Sequence, residues 1–264
     1  MAAELIYVYC VSQKEPALKD PGPGNNIYAI SHQALYAVVG KVSEDEFSEE
    51  NLKKNLADMN WIEPKAREHI KVINRIMETS TVIPFKFGTI FKTEASLRKM
   101  LEDYSRQIKD NIAELDGKEE WSVKIYCNFK VLTEKTVQIS GKIKQLDREI
   151  FSSSPGKAFL LKKKRNELVK DEVNREIGEY GQCCFGKLKE QAREAVINRL
   201  LPREVTEKEN EMILNIASLV SKEKAGDFHN AVEELKSKYK ESGFEFDCTG
   251  PWPPYNFTAI KAEV

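Results

Sequence analysis

The chain has 264 residues with 41 Lys and Arg against 42 Asp and Glu, and a net charge of -1 gives no whole-protein field to draw in nucleic acid or membrane lipid. A compact fold of this length buries about three quarters of its unfolded surface and exceeds the commonest size of one core, so two domains are expected. No apolar run approaches the roughly 20 residues of a membrane span, and MAAELIYVYCV at 1–11 lacks the basic start and cleavage site of a secretory signal, so a cytosolic chain is expected.

LIYVYCV (5–11) reads as a strand from its β-branched and aromatic content, and it ends in a Pro/Gly-rich loop over 12–26 that includes PGPGNN. Short strands are expected at Ile27–Ile30 and Leu35–Val39, then a mixed-charge helix from Glu49 towards Met59 with Ser48 as its cap. Pro64 predicts a break, with a new helix from about Pro64 to Glu78 that turns Ile70, Ile73 and Met77 inward. After VIPFKFGTIF (82–91), the spacing of Leu97, Met100, Leu101, Tyr104 and Ile108 predicts a helix. The Asp116-Gly117 turn signal precedes WSVKIYCNF, whose Trp121, Val123, Ile125 and Cys127 alternate onto one face. This turn is the expected domain boundary, giving 1–117 and 118–264.

Leu132, Ile139, Ile143, Leu146 and Ile150 form one helical stripe, which SSSPG (152–156) interrupts. A second, long helical pattern runs from about Gly156 to Leu201 on the face Val169, Val173, Ile177, Tyr180, Cys184, Leu188, Ala192 and Ala195. Arg203–Val205 is read as a short strand and MILNIASLVS (212–221) as an apolar one. A helix over Lys224–Tyr239 is stopped by Gly243, and FEFDC is the last strand before GPWPPYNF. The fold class is therefore α+β. A mixed N-terminal α/β domain precedes a modified ferredoxin-like domain in the order βαββαβ, its first crossover enlarged into a long helical hairpin.

Within VIPFKFGTIF, Ile83, Phe85 and Phe87 fall on one face; Pro84 lacks a donor and demands an edge; Gly88 signals a bulge or close backbone approach. The segment reads either as an edge strand with one core face or as an edge that accepts another chain. TGPWPPYNF (249–257) poses the same choice: a rigid clip laying Trp252 and Tyr255 on the protein's own core, or a displayed docking surface.

Signatures of chemistry are missing. SSSPGK has Phe151 where a phosphate loop needs its first glycine and Ala158 where it needs Ser or Thr. PGPGNN is a lone Gly-x-Gly. The three histidines, His32, His69 and His229, form no HExxH pair, and each reads as a surface or capping residue. Five cysteines without CxxC spacing read as reduced thiols, with Cys10 and Cys127 buried as small hydrophobes. KKKR (162–165) is followed by Glu167, Asp171 and Glu172, which are expected to neutralise it in part on a solvated helix face.

VIPFKFGTIF, WSVKIYC after a glycine-containing turn, PGKAFLLKKKRNEL and GPWPPYNF occur in this order. Together with YVYCV at the start, they closely resemble the gas vesicle protein F/L family (GvpF/GvpL) over nearly the whole chain. The PF-FGT and GPWPPY segments are the specific ones, and the PGPGNN loop is idiosyncratic. The resemblance implies a non-enzymatic accessory or minor structural component of gas vesicles, needed for assembly, with no cofactor and no catalytic residue. It implies the small hydrophobic shell protein GvpA and other gas vesicle accessory proteins as partners, and a place in the cytoplasm and the vesicle. It also implies two domains, the second a modified ferredoxin-like fold. Soluble capping of a polymerising apolar shell protein agrees with the hazard of exposed strand edges. The candidate contact residues are Pro84, Phe85, Phe87, Gly88, Trp252 and Tyr255. The alternatives are a ferredoxin-like ligand-binding or regulatory module, and an enzyme with an unrecognised site.

Overall fold

The first strand, β1 (Glu4–Ser12), is buried at every residue from Leu5 to Ser12, as its unbroken apolar run requires of a strand covered on both faces. The computed structural model describes residues 4–18 and 27–258; the PGPGNN loop expected at 21–26 lies outside the described residues. Strands β2 (Ile27–His32) and β3 (Leu35–Ser43) form a hairpin whose two turn residues, Gln33 and Ala34, both adopt positive φ of 48° and 62°. Strands β4 (Val82–Pro84) and β5 (Ile90–Phe91) both run antiparallel to β1, in a sheet ordered β2-β3-β1-β4 with β5 also on β1. VIPFKFGTIF is thus one edge strand interrupted at its middle. Gly88 there has φ 82°, which only glycine adopts without strain.

Helices α1 (Glu44–Phe47), α2 (Glu49–Asn55) and α3 (Met59–Met77) follow β3, and α4 (Glu94–Asp103) and α5 (Ser105–Leu115) follow β5. α3 packs on β1 and β4, while α4 lies against β2 and β5 and α5 against β4. The break expected at Pro64 does not occur. Asp58 caps α3 through its side chain to Asn60 N–H, and Pro64 sits in the second turn at an exposed position. The inward face also differs: His69, Ile73 and Ile76 are buried, whereas Ile70 and Met77 are only half-buried.

The register of β1 against β3 shifts between Val8 and Cys10, so Tyr9 is an extra residue. Because side chains alternate with period two, one inserted residue re-phases the strand. Leu5, Tyr7, Tyr9 and then Cys10 consequently all reach the core cluster shared with Phe47, Ile73, Ile76 and Val82.

The chain divides into two compact units. One runs to Glu120 and resumes at Pro251, and the other comprises Trp121–Gly250. On the sequence alone the boundary falls at 117/118 and the GPWPPYNF tail stays with the second domain; the hydrogen bonds of Tyr255 and Asn256, described below, are to first-unit residues.

From the boundary onwards come β6 (Lys118–Cys127), α6 (Phe129–Ile139), α7 (Gly141–Phe151), α8 (Pro155–Glu190), β7 (Glu194–Ile197), α9 (Arg203–Thr206), β8 (Glu211–Ser221), α10 (Ala225–Tyr239) and β9 (Phe244–Trp252). The second sheet is ordered β7-β8-β6-β9, with β7 antiparallel to β8. Its core joins Val123, Ile125 and Cys127 of β6 to Val173, Cys184 and Leu188 of α8 and Phe228, Val232 and Leu235 of α10.

Three expectations fail here for identifiable reasons. The stripe over 132–150 is two helices, broken where the Ser140 side chain accepts from Ile143 N–H to cap α7, and Ile139 beside the break is 59% exposed. The long helix ends at Glu190, not Leu201; residues 194–197, helical by local pattern, pair with β8 instead, and Ala192 and Ala195 still pack on the core. Arg203–Thr206 is a helical turn, so the second strand of the βαββαβ order is β7. Cys184 is buried and its neighbour Cys183 exposed, the divergence expected of adjacent helical positions. Among the described residues no helix is long and apolar enough to cross a membrane.

Gly243, at φ 83°, closes the segment after α10, and a Cβ there would meet Asn128 O and Val131 Cβ at 3.0 Å. Gly178 lies inside α8 with nothing within 4 Å of an added Cβ. In chemical denaturation, Gly243→Ala is expected to cost more than about 1 kcal/mol, whereas Gly178→Ala stabilises by up to ~1 kcal/mol. Equal effects of the two would contradict this account of the glycines.

Candidate functional site

All six candidate contact residues belong to the first unit, on its edge segment and the returning tail, and three of them, Phe85, Phe87 and Tyr255, meet at a side chain the sequence reading left on the surface. His69, on the inward face of α3, is only 2% exposed. Its Nδ1 lies 2.8 Å from Tyr7 Oη, and its Nε2 lies 3.0 Å from Phe85 O and 2.9 Å from Tyr255 Oη. A carbonyl oxygen only accepts, so Nε2 carries the ring proton. Burial holds the imidazole's pKa down at about 4, against an ordinary 6.5, so the ring is neutral and Nδ1 accepts. The Tyr7 hydroxyl therefore donates to Nδ1 and accepts the Gly88 N–H at 3.2 Å. Burial also drives the pKa of Tyr7 and Tyr255 far upward, and pushes Tyr9 up to about 12.

The groups at this node are thus all held uncharged, with both imidazole nitrogens engaged. Neither a base nor a nucleophile is poised here at neutral pH. The arrangement fastens β1, α3, the Phe85–Gly88 segment and the tail to one another. A second fastening lies beside it: the buried Glu120 carboxylate accepts from the Asn256 backbone N–H at 3.0 Å and from its side-chain amide at 2.6 Å. Burial raises the Glu120 pKa, and the Asn256 hydrogen bonds oppose that rise.

Around the node is an aromatic cluster. The Phe87 ring stands edge-on to Tyr7, Trp61 and His69, with centroids 6.1, 6.2 and 5.8 Å away. Lys65 Nζ, ion-paired to Glu46, lies 5.2 Å from the Phe47 ring and 5.0 Å from the Trp61 ring. Tyr7, Phe47, Lys65, His69 and Phe87 border a cleft of about 200 Å³. That is below the roughly 300 Å³ at which small-molecule pockets begin.

The candidate residues therefore take different roles. Phe85 is buried and engages His69 through its backbone carbonyl; Phe87 is half-buried; Gly88 contributes its N–H; Tyr255 is half-buried with its hydroxyl on His69. Pro84 is buried at the sheet edge opposite Cys10. Trp252, at the end of β9, is 39% exposed. The sequence reading missed Tyr7, Phe47, Trp61, His69, Glu120 and Asn256. One signal was present: His69, Ile73 and Ile76 have the spacing of a helix face. Among the described residues no cluster of His, Cys, Asp and Glu could hold a metal ion.

The neutral state of His69 fixes a pH dependence. The unfolded chain takes up a proton near 6.5 and the folded chain only near 4, so between these values the unfolded state binds more protons and stability falls as pH falls. The slope is about 1.4 kcal/mol per pH unit in that window. Urea midpoints of the wild type and His69→Gln across this range are expected to diverge, with the variant losing less stability on acidification. Parallel curves would contradict a neutral buried imidazole.

Comparison with known proteins assigns the family. The family model described as gas vesicle synthesis protein GvpL/GvpF matches residues 5–259. Gas vesicle protein L of Streptomyces sp. (strain CB03234) is 24% identical over 98% of this chain and 94% of its own length. Gas vesicle protein L1 of Halobacterium salinarum is 25% identical over 95% of this chain and 89% of its own. The crystal structure of GvpF from Anabaena sp. PCC7120 shares the fold, with a TM-score of 0.72 at 19% identity over 97% of this chain and 99% of that one. With a match that runs through both units, the chain belongs to the GvpL/GvpF family of gas vesicle synthesis proteins.

Proposed function

We propose that this chain is a non-enzymatic accessory or minor structural protein of gas vesicles. In this reading it binds the hydrophobic shell protein GvpA, supports vesicle nucleation and assembly, and keeps shell subunits from aggregating. Its place is the cytoplasm and the growing vesicle, among the other gas vesicle accessory proteins. The observation that carries the reading is the family match over residues 5–259. Support comes from the candidate site, where His69 and the tyrosines are held uncharged and engaged with one another.

The second unit is read as a modified ferredoxin-like domain. Its sheet order β7-β8-β6-β9 is what βαββαβ connectivity yields when the first and third strands lie at the centre, and α6–α8 form the enlarged crossover. Apolar shell subunits that polymerise through strand edges need their edges covered until they are incorporated. Of the candidate contacts, Phe87 and Trp252 keep accessible side-chain surface, while Pro84, Phe85, Gly88 and Tyr255 hold that surface in shape.

Immobilised chain is expected to retain the shell protein, and Phe87→Ala with Trp252→Ala to reduce retention by about tenfold, the loss of one strong contact. Circular dichroism checks that the variant is folded. Failure of the wild type to retain the shell protein would overturn the function; full retention by the folded variant would move the contact elsewhere.

A further inference from the structure

The α7–α8 hairpin carries apolar side chains that the fold does not use. Phe151 is 94% exposed, Phe159 72% and Leu160 67%. The Arg165 ion pair to Asp147 sets the register of the two antiparallel helices. Counting back from it, Phe151 comes level with Leu161, which places the three exposed side chains in one band of height along the hairpin, within about a turn of one another. The polar turn Ser152-Ser153-Ser154 lies beyond the band and the lysines of KKKR lie behind it.

Those lysines stand on the solvated helix face expected of them, and their sequence neighbours reach them through no direct ion pair. Glu172 is buried and its ion-pair partner is Arg175, and Arg165 is taken by Asp147. Among the described residues Lys157, Lys162, Lys163 and Lys164 form no ion pair. Between Gly141 and Arg165 there are eight basic and two acidic side chains, in a chain whose net charge is -1. Helical spacing puts Lys163 one turn from Phe159, and Lys157 and Lys164 on either side of Leu160.

We propose that this band is a docking surface for an acidic amphipathic helix of a partner protein, whose apolar stripe covers Phe159, Leu160 and Phe151 while its flanking carboxylates meet the lysines. Charge complementarity selects the partner's sign, and exposed aromatics supply the anchors. A bilayer fits less well, because tip-first insertion would drive the serine turn deepest into the apolar layer. The surface belongs to the second unit and stands independently of shell-protein binding by the first.

The test is fluorescence anisotropy of the full chain with a fluorescein-labelled amphipathic peptide of leucine and glutamate. The same peptide with lysine for glutamate, polyglutamate, and phosphatidylglycerol/phosphatidylcholine vesicles are the comparison arms. Binding of the Leu/Glu peptide is expected to weaken about tenfold in Phe159→Ala/Leu160→Ala and in Lys163→Glu/Lys164→Glu, with no binding of the lysine peptide. All four positions are exposed; if circular dichroism shows the first variant to have lost helix, the charge reversal alone decides. No binding of the Leu/Glu peptide, wild-type binding by the folded variants, equal binding of polyglutamate, or preferential capture by vesicles would each overturn the proposal.

Discussion

The first unit is organised around a neutral imidazole that donates from one nitrogen and accepts at the other. His69 reaches Tyr7 of the central strand, the Phe85 carbonyl at the sheet edge and Tyr255 of the returning tail, all within hydrogen-bond distance. Protonation would force Nδ1 to become a donor towards a hydroxyl already committed to donating, inside a site where burial opposes charge. Four segments from distant parts of the chain thus depend on one tautomer. Without it, the Tyr7 hydroxyl would lose the acceptor of its proton and Tyr255 the imidazole N–H, leaving the Asn256 bonds to Glu120 to hold the tail.

This constraint gives a physical meaning to segments that the family resemblance rests on. The PF-FGT stretch supplies a carbonyl, an aromatic ring and a glycine N–H to the node, and the PPY stretch supplies a hydroxyl. Their residue types follow from that geometry. Gly88 is needed for positive φ, the donor-free Pro84 sits at the sheet edge, and buried Pro253 and Pro254 stiffen the chain just before Tyr255.

Much of the fold was legible because it is written in local patterns. The apolar first strand, the alternation Val123-Ile125-Cys127 and the face of α8 from Val169 to Leu188 all read correctly from spacing. Failures came where distant partners override local preference. Residues 194–197 carry helical spacing but lie beside β8, and the inserted Tyr9 that re-phases β1 is invisible in a run that is apolar throughout. His69 escaped because its partners are 62, 16 and 186 residues away in sequence. The lysines of KKKR lie on a solvated helix face as expected, but Glu172, one of the three carboxylates expected to offset them in part, turns inward.

The account of the first unit stands on His69 being a structural group. Nitrogen-15 NMR of the imidazole tests this most directly, since it reports both tautomer and protonation. A ring that stays neutral with the proton on Nε2 from pH 7 down to pH 5 is what the geometry predicts, given a pKa of about 4. A proton on Nδ1, or titration near neutral pH, would contradict it and return His69 to the class of groups able to exchange a proton with a bound molecule.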